Sequence, residues 1–241
     1  GPPEGVVVAD EVVGEGQSRV ETAERVRRER EGVGVRPRPE RRDGLFLYFH
    51  VPFCERICPY CDFAVVAART LSRADEDRYV AALLAELAAR EHLFAGRSLE
   101  TLDFGGGTPS LLTPESLARW IDAARAAFPG APEEVTLEVN PSTTERERLS
   151  GFRAAGVTRL SIGVQSFDDE TLRRLGRAHR APESHAALEA ARAAGFANVS
   201  LDLIFGAPGQ EAAHVSRDLS AALAHEPEHV SAYALTLEPG T

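Results

Sequence analysis

The chain has 241 residues, of which 43% are hydrophobic, and it carries a formal net charge of −10. This length suits one large α/β barrel or two small domains, and the apolar fraction is ordinary for a globular protein. The negative charge argues against a general nucleic-acid surface. No apolar run approaches the roughly 20 residues of a membrane span, and no basic-then-apolar segment opens the chain as a secretion signal would.

Residues 1–43 differ in composition from the rest of the chain. They contain no aromatic residue and are rich in Gly, Pro, Glu and Arg. Such a segment cannot bury enough apolar surface to offset the entropy that ordering would cost. We therefore predict a disordered leader at 1–43, followed by one folded domain over 44–241.

Strand and helix patterns alternate throughout the predicted domain. Ser72 and Thr113 have the side chains and spacing of helix N-caps, and Pro114 suits a first helical position. Strands alternating with helices predict a parallel sheet, and six such units predict an open (β/α)6 barrel related to the TIM barrel. In barrels of this kind the chemistry lies at the carboxyl ends of the strands. Strands are predicted at 45–51, 101–104, 135–139, 159–164, 199–205 and 230–237.

All three cysteines of the chain, Cys54, Cys58 and Cys61, follow the first predicted strand at C-x3-C-x2-C spacing. Three thiolates can bind three irons of a four-iron cubane and leave the fourth iron open to an external chelator, whereas simple electron transfer commonly uses four cysteines. A structural zinc site with His50 as fourth ligand, and unligated core cysteines, are the alternatives. A few cysteines clustered at metal-ligand spacing fit a reducing cytoplasm.

Polar or glycine-rich features also end the other predicted strands. The run Gly105-Gly106-Gly107 lacks the spacing of a dinucleotide or phosphate loop, so we expect a close approach of its backbone to a ligand, with a tight turn as the alternative. A carboxylate on a buried strand, as at Glu138, is costly unless it is paired, either with a ligand or with an internal Arg. Gln165 and Asp202 occupy comparable positions, where core roles are again the alternative. Together these features indicate one shared site.

Six short runs occur in order along residues 45–241, and together they resemble the oxygen-independent coproporphyrinogen III oxidase-like branch of the radical S-adenosylmethionine (SAM) superfamily. In that superfamily SAM occupies the open iron of the cluster. The runs are Tyr48-x-His50-x-Pro52-Phe53-Cys54, Gly105-Gly106-Gly107-Thr108-Pro109-Ser110, Glu138-Val139-Asn140-Pro141, Ser161-Ile162-Gly163-Val164-Gln165-Ser166-Phe167, Leu175-Gly176-Arg177-x-His179 and Asp202-Leu203-Ile204-x-Gly206-x-Pro208.

That branch contains two main kinds of protein. One is the coproporphyrinogen III dehydrogenase, which performs an oxidative decarboxylation in porphyrin biosynthesis, and the other is the HemW-type haem chaperone. The dehydrogenase pattern carries a further cysteine two positions after the third cluster ligand, where this chain has Phe63. The catalytic arm of the dehydrogenase also has no counterpart in residues 1–43. The resemblance therefore implies a HemW-type chaperone, with the dehydrogenase as the alternative, and with the C-terminal domain of the family absent from this chain.

The resemblance also implies roles for individual residues. It implies that a [4Fe-4S] cluster is ligated by Cys54, Cys58 and Cys61. The residues that it implies for SAM are expected near the carboxyl ends of the strands. Tyr48 and Tyr60 would line the cluster and SAM; the methionine moiety would meet Gly106, Gly107 and Thr108; Glu138 would pair with a polar or positive part of SAM; and the pocket would be completed by Gln165, Arg177, Asp202 and Ala234.

The partners implied by the resemblance are haem as cargo, a haem-acceptor protein and an electron donor. Peripheral membrane association through the acceptor would be consistent with these partners, and no nucleic acid is expected. The resemblance does not indicate which histidine would ligate haem.

Overall fold

The computed structural model describes residues 44–68 and 70–236. The predicted disordered leader at 1–43 lies outside these residues, as does Leu237 at the end of the last predicted strand. Within the described residues the strands are β1 (Gly44–Val51), β2 (Phe53–Cys54), β3 (Val66–Ala67), β4 (Ser98–Gly106), β5 (Glu134–Val139), β6 (Arg159–Gln165), β7 (Asn198–Phe205) and β8 (His229–Ala234). The helices are α1 (Arg73–Arg90), α2 (Pro114–Ala127), α3 (Thr143–Ala154), α4 (Asp169–Arg174), α5 (Ala181–Ala193) and α6 (Ala212–Leu223), with 3-10 turns at Glu91–Phe94 and Pro109–Leu111.

Six of the strands form one parallel sheet in the order β1-β4-β5-β6-β7-β8. Neighbours in the sheet are successive long strands of the chain, with helices between them, as a barrel requires. The sheet is curled but not closed, and β1 and β8 are its edges. The predicted partial (β/α)6 barrel is confirmed. No helix of the described segments combines the length and the apolar character needed to cross a membrane.

Local capping chemistry sets where several helices begin. The hydroxyl of Ser72 accepts a hydrogen bond from the Asp75 amide at 3.1 Å before α1. Thr113 caps α2 in the same way, with Pro114 at its first position. These side chains satisfy amide groups that lack partners within the helix. The two predicted caps are therefore confirmed.

Alternation along the strands separates an apolar face from a polar one. On the helix side, Phe49 and Phe104 stack on the indole of Trp120, with ring centroids 5.6 and 6.0 Å from it. The indole nitrogen of Trp120 donates to the Val80 carbonyl at 3.2 Å, so its one polar atom is satisfied within the core.

The inner face of the sheet is polar, unlike that of most parallel strands, which are apolar on both faces. In β5, Val135, Leu137 and Val139 are buried, whereas Glu138 between them lines an internal cavity. The face tolerates polar residues because they lie at the open interior of the partial barrel.

The segment with the cysteines is tied down by the small β2–β3 pair, which the sequence pattern did not indicate. The Val66 amide donates to the Pro52 carbonyl at 2.8 Å, and the Ala68 amide donates to the Cys54 carbonyl at 2.7 Å. Two-residue strands are too short to show a periodicity of hydrophobic residues. This pairing brings both ends of the cysteine segment together beside the end of β1.

Candidate functional site

A cavity of about 630 Å³ lies at the carboxyl ends of the strands, a volume within the range of small-molecule sites. Its walls include the cysteine segment and the ends of β4 to β8. Apart from Tyr48, every residue that the sequence assigned to the cluster or to SAM lines it. These residues are Cys54, Cys58, Cys61, Tyr60, Gly106, Gly107, Thr108, Glu138, Gln165, Arg177, Asp202 and Ala234.

Tyr48 lies on β1, outside the lining of this cavity. Its phenol oxygen is 3.3 Å from Nδ1 of His50, and its ring lies against Gly105. Burial, followed by the nearby Glu138 carboxyl, raises the pKa of this phenol well above its usual value. The predicted contact of Tyr48 with the cluster and SAM stays a prediction.

The cysteine segment packs against the turn that follows α4. Gly176 has a φ of +67°, and a Cβ added there would lie 2.5 Å from Cδ of Pro59. Arg56 donates to the carbonyl of the same glycine. A residue without a side chain is therefore needed at this contact, both for its backbone conformation and for the space.

The three cysteines are free thiols, each partly buried. Burial is the main cause that raises the pKa of Cys54 and of Cys61, which favours the neutral thiol until a metal compensates the thiolate charge. Among the described residues, no three Cys, His, Asp or Glu side chains are arranged to hold a single metal ion.

Both ring nitrogens of His50 already have partners, which argues against His50 as the fourth ligand of a zinc site. Its Nε2 is 2.8 Å from the carbonyl of Ala64, and its Nδ1 faces the phenol of Tyr48. A fourth zinc ligand at this position would have to abandon both contacts.

Arg177 is a partly buried cation beside the cysteines. Its guanidinium donates to Sγ of Cys58 at 3.5 Å, to the carbonyl of Gly163 at 3.0 Å and to Oδ1 of Asn140. Burial acts against its charge, but the nearby Tyr60 and Cys58 outweigh it and raise the pKa of Arg177. Its Nε is buried and has no hydrogen-bond partner among the described residues. A buried donor left without a partner at a cavity suits an acceptor group of a ligand.

Glu138 places a carboxylate at the cavity. One of its oxygens accepts a hydrogen bond from the Gly106 amide at 3.0 Å. Burial, reinforced by the charge of Asp103, raises the pKa of Glu138 to about 7. A bound ammonium group would reverse part of this shift, since a nearby positive charge favours the ionised carboxylate.

The glycines at the end of β4 are held close to other parts of this chain. A Cβ on Gly106 would lie 2.5 Å from the ring of His50, and a Cβ on Gly107 would lie 2.7 Å from the carbonyl oxygen of Phe53. The Gly107 amide donates to the Val51 carbonyl at 2.7 Å. The close approach that the sequence predicted is thus made by protein neighbours, and the contact of these glycines with SAM stays a prediction.

Gln165 ends β6 in an unusual conformation. Its φ is +65°, in the left-handed region that disfavours residues with a side chain, and the pairing of β6 with β7 shifts register just before it. Backbone strain of this kind concentrates at functional sites. The amide of Gln165 lies at the cavity, as the sequence predicted.

Asp202 is fixed on the inner face by Ser161. The serine hydroxyl lies 3.0 and 3.2 Å from the two carboxylate oxygens, and burial raises the pKa of Asp202. The other predicted residue at this end, Ala234, closes β8 and pairs with Phe205.

Asn140 and Glu145 line the cavity as well, but the sequence assignments did not include them. Asn140 donates from Nδ2 to Oγ1 of Thr108 at 3.1 Å, and its position in the run from Glu138 to Pro141 was the available signal. The carboxylate of Glu145 accepts from the Asn140 amide and, at 2.7 Å, from the hydroxyl of Ser110. Burial raises the pKa of Glu145 to about 7. The Ser-x-x-Glu spacing from Ser142 marks a helix start, and nothing in it points to the cavity.

Comparison with known proteins identifies the family. The Radical SAM superfamily matches residues 48–221. The chain is 42% identical over 198 residues to heme chaperone HemW of Escherichia coli, covering 82% of this chain and 52% of that protein. It is also 42% identical over 209 residues to heme chaperone HemW of Mycobacterium tuberculosis, covering 86% of this chain and 53% of that one. The chain spans about half the length of these curated relatives.

A solved structure shows the same fold. Coproporphyrinogen III oxidase (HemN) from Escherichia coli superposes with a TM-score of 0.73 at 33% identity, covering 82% of this chain and 45% of that chain. Residues 48–221, which the superfamily matches, include the cysteine segment and the ends of β4 to β7. The chain therefore belongs to the radical SAM superfamily.

Proposed function

We propose that this chain is the cluster- and SAM-binding part of a HemW-type haem chaperone. The observation that carries the proposal is that one cavity at the strand ends is lined by three free cysteines, by Glu138 and by Arg177, whose Nε is buried without a partner among the described residues. The set combines soft metal ligands with one cationic and one acidic group. SAM has the complementary groups, since its amino acid moiety carries an ammonium and a carboxylate.

The roles of the residues follow from their chemistry. Cys54, Cys58 and Cys61 would hold the [4Fe-4S] cluster, which when bound supplies an electron to the sulfonium of SAM. Glu138 would bind the ammonium group, and Nε of Arg177 would donate to the carboxylate.

The remaining predicted residues would shape the SAM pocket. The aromatic ring of Tyr60 and the small Ala234 would limit the entry of water. Gln165 and Asp202 would supply polar groups for the rest of SAM, and the Thr108 hydroxyl would lie at the methionine end.

The chaperone is favoured over the dehydrogenase by the relatives and by Phe63. Two bacterial relatives at 42% identity bear the name heme chaperone HemW. Phe63 is 63% exposed at the position where the dehydrogenase pattern has cysteine, and a phenyl ring cannot take part in thiol chemistry. The dehydrogenase is the second candidate because the fold superposes on coproporphyrinogen III oxidase.

The proposal extends to the partners of the protein and to its location in the cell. Haem would be the cargo, a haem-acceptor protein its destination, and a separate electron donor would reduce the cluster. Free, partly buried thiols fit a reducing cytoplasm, with any membrane association made through the acceptor.

The test is anaerobic reconstitution of the full-length protein, followed by haem titration and a coproporphyrinogen III assay. We expect about one [4Fe-4S] cluster, stoichiometric haem binding and no protoporphyrinogen. Replacement of any one of Cys54, Cys58 or Cys61 by Ala should abolish the cluster. Turnover of coproporphyrinogen III by the unmodified protein would establish the dehydrogenase instead, and absence of both haem binding and turnover would reject both candidates.

A further inference from the structure

Asn140 connects hydrogen bonds that reach two different cysteines. On one side its Nδ2 donates to Oγ1 of Thr108 at 3.1 Å, and that hydroxyl lies 3.7 Å from Sγ of Cys54. On the other side its Oδ1 accepts from Arg177, whose guanidinium donates to Sγ of Cys58 at 3.5 Å. One side-chain amide thus lies midway in a chain of contacts from one sulfur to the other.

The direction of each hydrogen bond follows from the donors available. A guanidinium has only donors, so the atom of Asn140 that meets Arg177 must be the amide oxygen. The amide nitrogen must then face Thr108, whose oxygen accepts from it. The Thr108 hydroxyl consequently has its own hydrogen free for Cys54. The amide of Asn140 thus combines an acceptor for Arg177 with a donor for Thr108.

The surrounding backbone holds Asn140 in place. Its own amide donates to the buried carboxylate of Glu145, which fixes the start of the turn after β5. Gly163 lies beside the pair: a Cβ there would be at ordinary contact distance from Oδ1 of Asn140 (3.4 Å) and from the guanidinium of Arg177 (3.5 Å), and 2.9 Å from the side-chain nitrogen of Gln165. Arg177 also donates to the Gly163 carbonyl at 3.0 Å.

We propose that Asn140 is a positioning residue that orients Thr108 and Arg177 to donate hydrogen bonds to Cys54 and Cys58, and thereby raises the reduction potential of the bound cluster. The inference rests on the proposed cluster-binding function. Hydrogen bonds to ligand sulfurs stabilise the extra negative charge of the reduced cluster, and residues that orient such donors tune the metal without touching it.

The test is the midpoint potential of the reconstituted cluster, measured by a dithionite titration followed by electron paramagnetic resonance. The variants are Asn140→Ala, which releases both donors, and Thr108→Val, which removes only the donor to Cys54 and keeps the shape. The matched control is Asn198→Ala, because the Asn198 amide contacts Glu134 on another part of the inner face, away from the cysteines.

We expect a more negative potential in Asn140→Ala, a smaller negative shift in Thr108→Val and none in Asn198→Ala, at equal iron content. Because Asn140 acts through Thr108, the double variant should match Asn140→Ala. A parent-like potential in Asn140→Ala, or shifts that add in the double variant, would overturn the proposal.

If Asn140→Ala takes up no cluster, its potential cannot be measured, and Asn140→Asp then tests the proposal. Its carboxylate still accepts from Arg177 but draws the Thr108 hydroxyl away from Cys54, so its potential should fall at least as far as in Thr108→Val. A parent-like potential in Asn140→Asp, or failure of both Asn140 variants to load while Asn198→Ala loads, would assign Asn140 a structural role only. Absence of a cluster in the unmodified protein would instead reject the proposed function itself.

Discussion

Glu138 illustrates how burial changes the chemistry of a single residue. Its ordinary carboxyl pKa is raised to about 7 because the side chain lies in the barrel interior, with Asp103 as a second negative neighbour. The folded state therefore binds a proton that the unfolded state releases at lower pH. The contribution of Glu138 to the free energy of unfolding therefore falls as the pH rises from the usual Glu range through 7.

We expect Glu138→Gln to be more stable than the unmodified protein at pH 8 by about 1–3 kcal/mol. A neutral amide avoids the desolvated charge and still accepts the hydrogen bond from the Gly106 amide. Urea unfolding without SAM should show that the advantage disappears near pH 4. The control is Glu115→Gln, an exposed carboxylate on α2, which tests whether loss of any one charge stabilises this acidic chain. An equal gain in both variants would refute the explanation.

The same substitution should weaken SAM binding. The carboxylate that destabilises the empty site is the group that would pair with the ammonium of SAM, and Gln cannot supply that charge. We expect a loss of about 1–3 kcal/mol in binding free energy, measured by calorimetry on the reconstituted protein. Unchanged affinity in Glu138→Gln would remove this residue from the SAM site.

At the scale of elements, the cysteine segment depends on the turn after α4. Gly176 is the left-handed residue at the end of that helix, and Gly195 has the equivalent place after α5, with a φ of +87°. A Cβ on Gly176 would strike Pro59, whereas a Cβ on Gly195 would meet nothing within 4 Å. Substitution of either glycine would strain the backbone, but only substitution of Gly176 would also disturb packing. Comparing the two therefore separates the effect of strain from the effect of packing.

We expect Gly176→Ala and Gly195→Ala to lose similar backbone stability, about 1 kcal/mol each. Only Gly176→Ala should also displace the cysteine segment and reduce iron incorporation several-fold. The measurement is iron and sulfide content after anaerobic reconstitution. Equal cluster content in the two variants would show that the contact with Pro59 does not hold the segment.

The junction between α1 and α2 depends on Glu76. Its Oε1 accepts from the Thr113 amide at 2.8 Å, from the Thr113 hydroxyl at 2.7 Å and from the Ser116 hydroxyl at 2.6 Å. We expect Glu76→Ala to lose about 2–3 kcal/mol because three donors at the start of α2 lose their acceptor. Urea unfolding measures the loss, with Glu115→Ala as an exposed control. A loss no larger than in that control would contradict this role.

At the scale of the whole molecule, the parts of the fold that the sequence predicted are those set by residues close to one another in the chain. The strands and the caps at Ser72 and Thr113 follow from alternation and from helix-end chemistry within a few residues. The boundaries of β4 differ from the prediction at both ends. The strand begins three residues earlier, at Ser98, and it continues two residues further, to Gly106, where the glycine backbone pairs with Val51.

The unpredicted parts of the site depend on contacts between distant segments. Arg177 and Cys58 are 119 residues apart in the chain, so nothing local indicates that the guanidinium meets the sulfur. The same holds for Asn140 and Thr108, which adjacent strands bring together. Motif resemblance named most residues of the cavity, but only the fold shows which of them touch.

The most direct test of the cluster site is the electron paramagnetic resonance spectrum of the dithionite-reduced, anaerobically reconstituted protein, recorded with and without SAM. We expect a [4Fe-4S]⁺ signal whose g values change when SAM is added, because three cysteines leave one iron open to SAM. The signal should be lost in Cys58→Ala. A protein that gives no such signal, or a signal that SAM leaves unchanged, would contradict a three-cysteine cluster with an open iron.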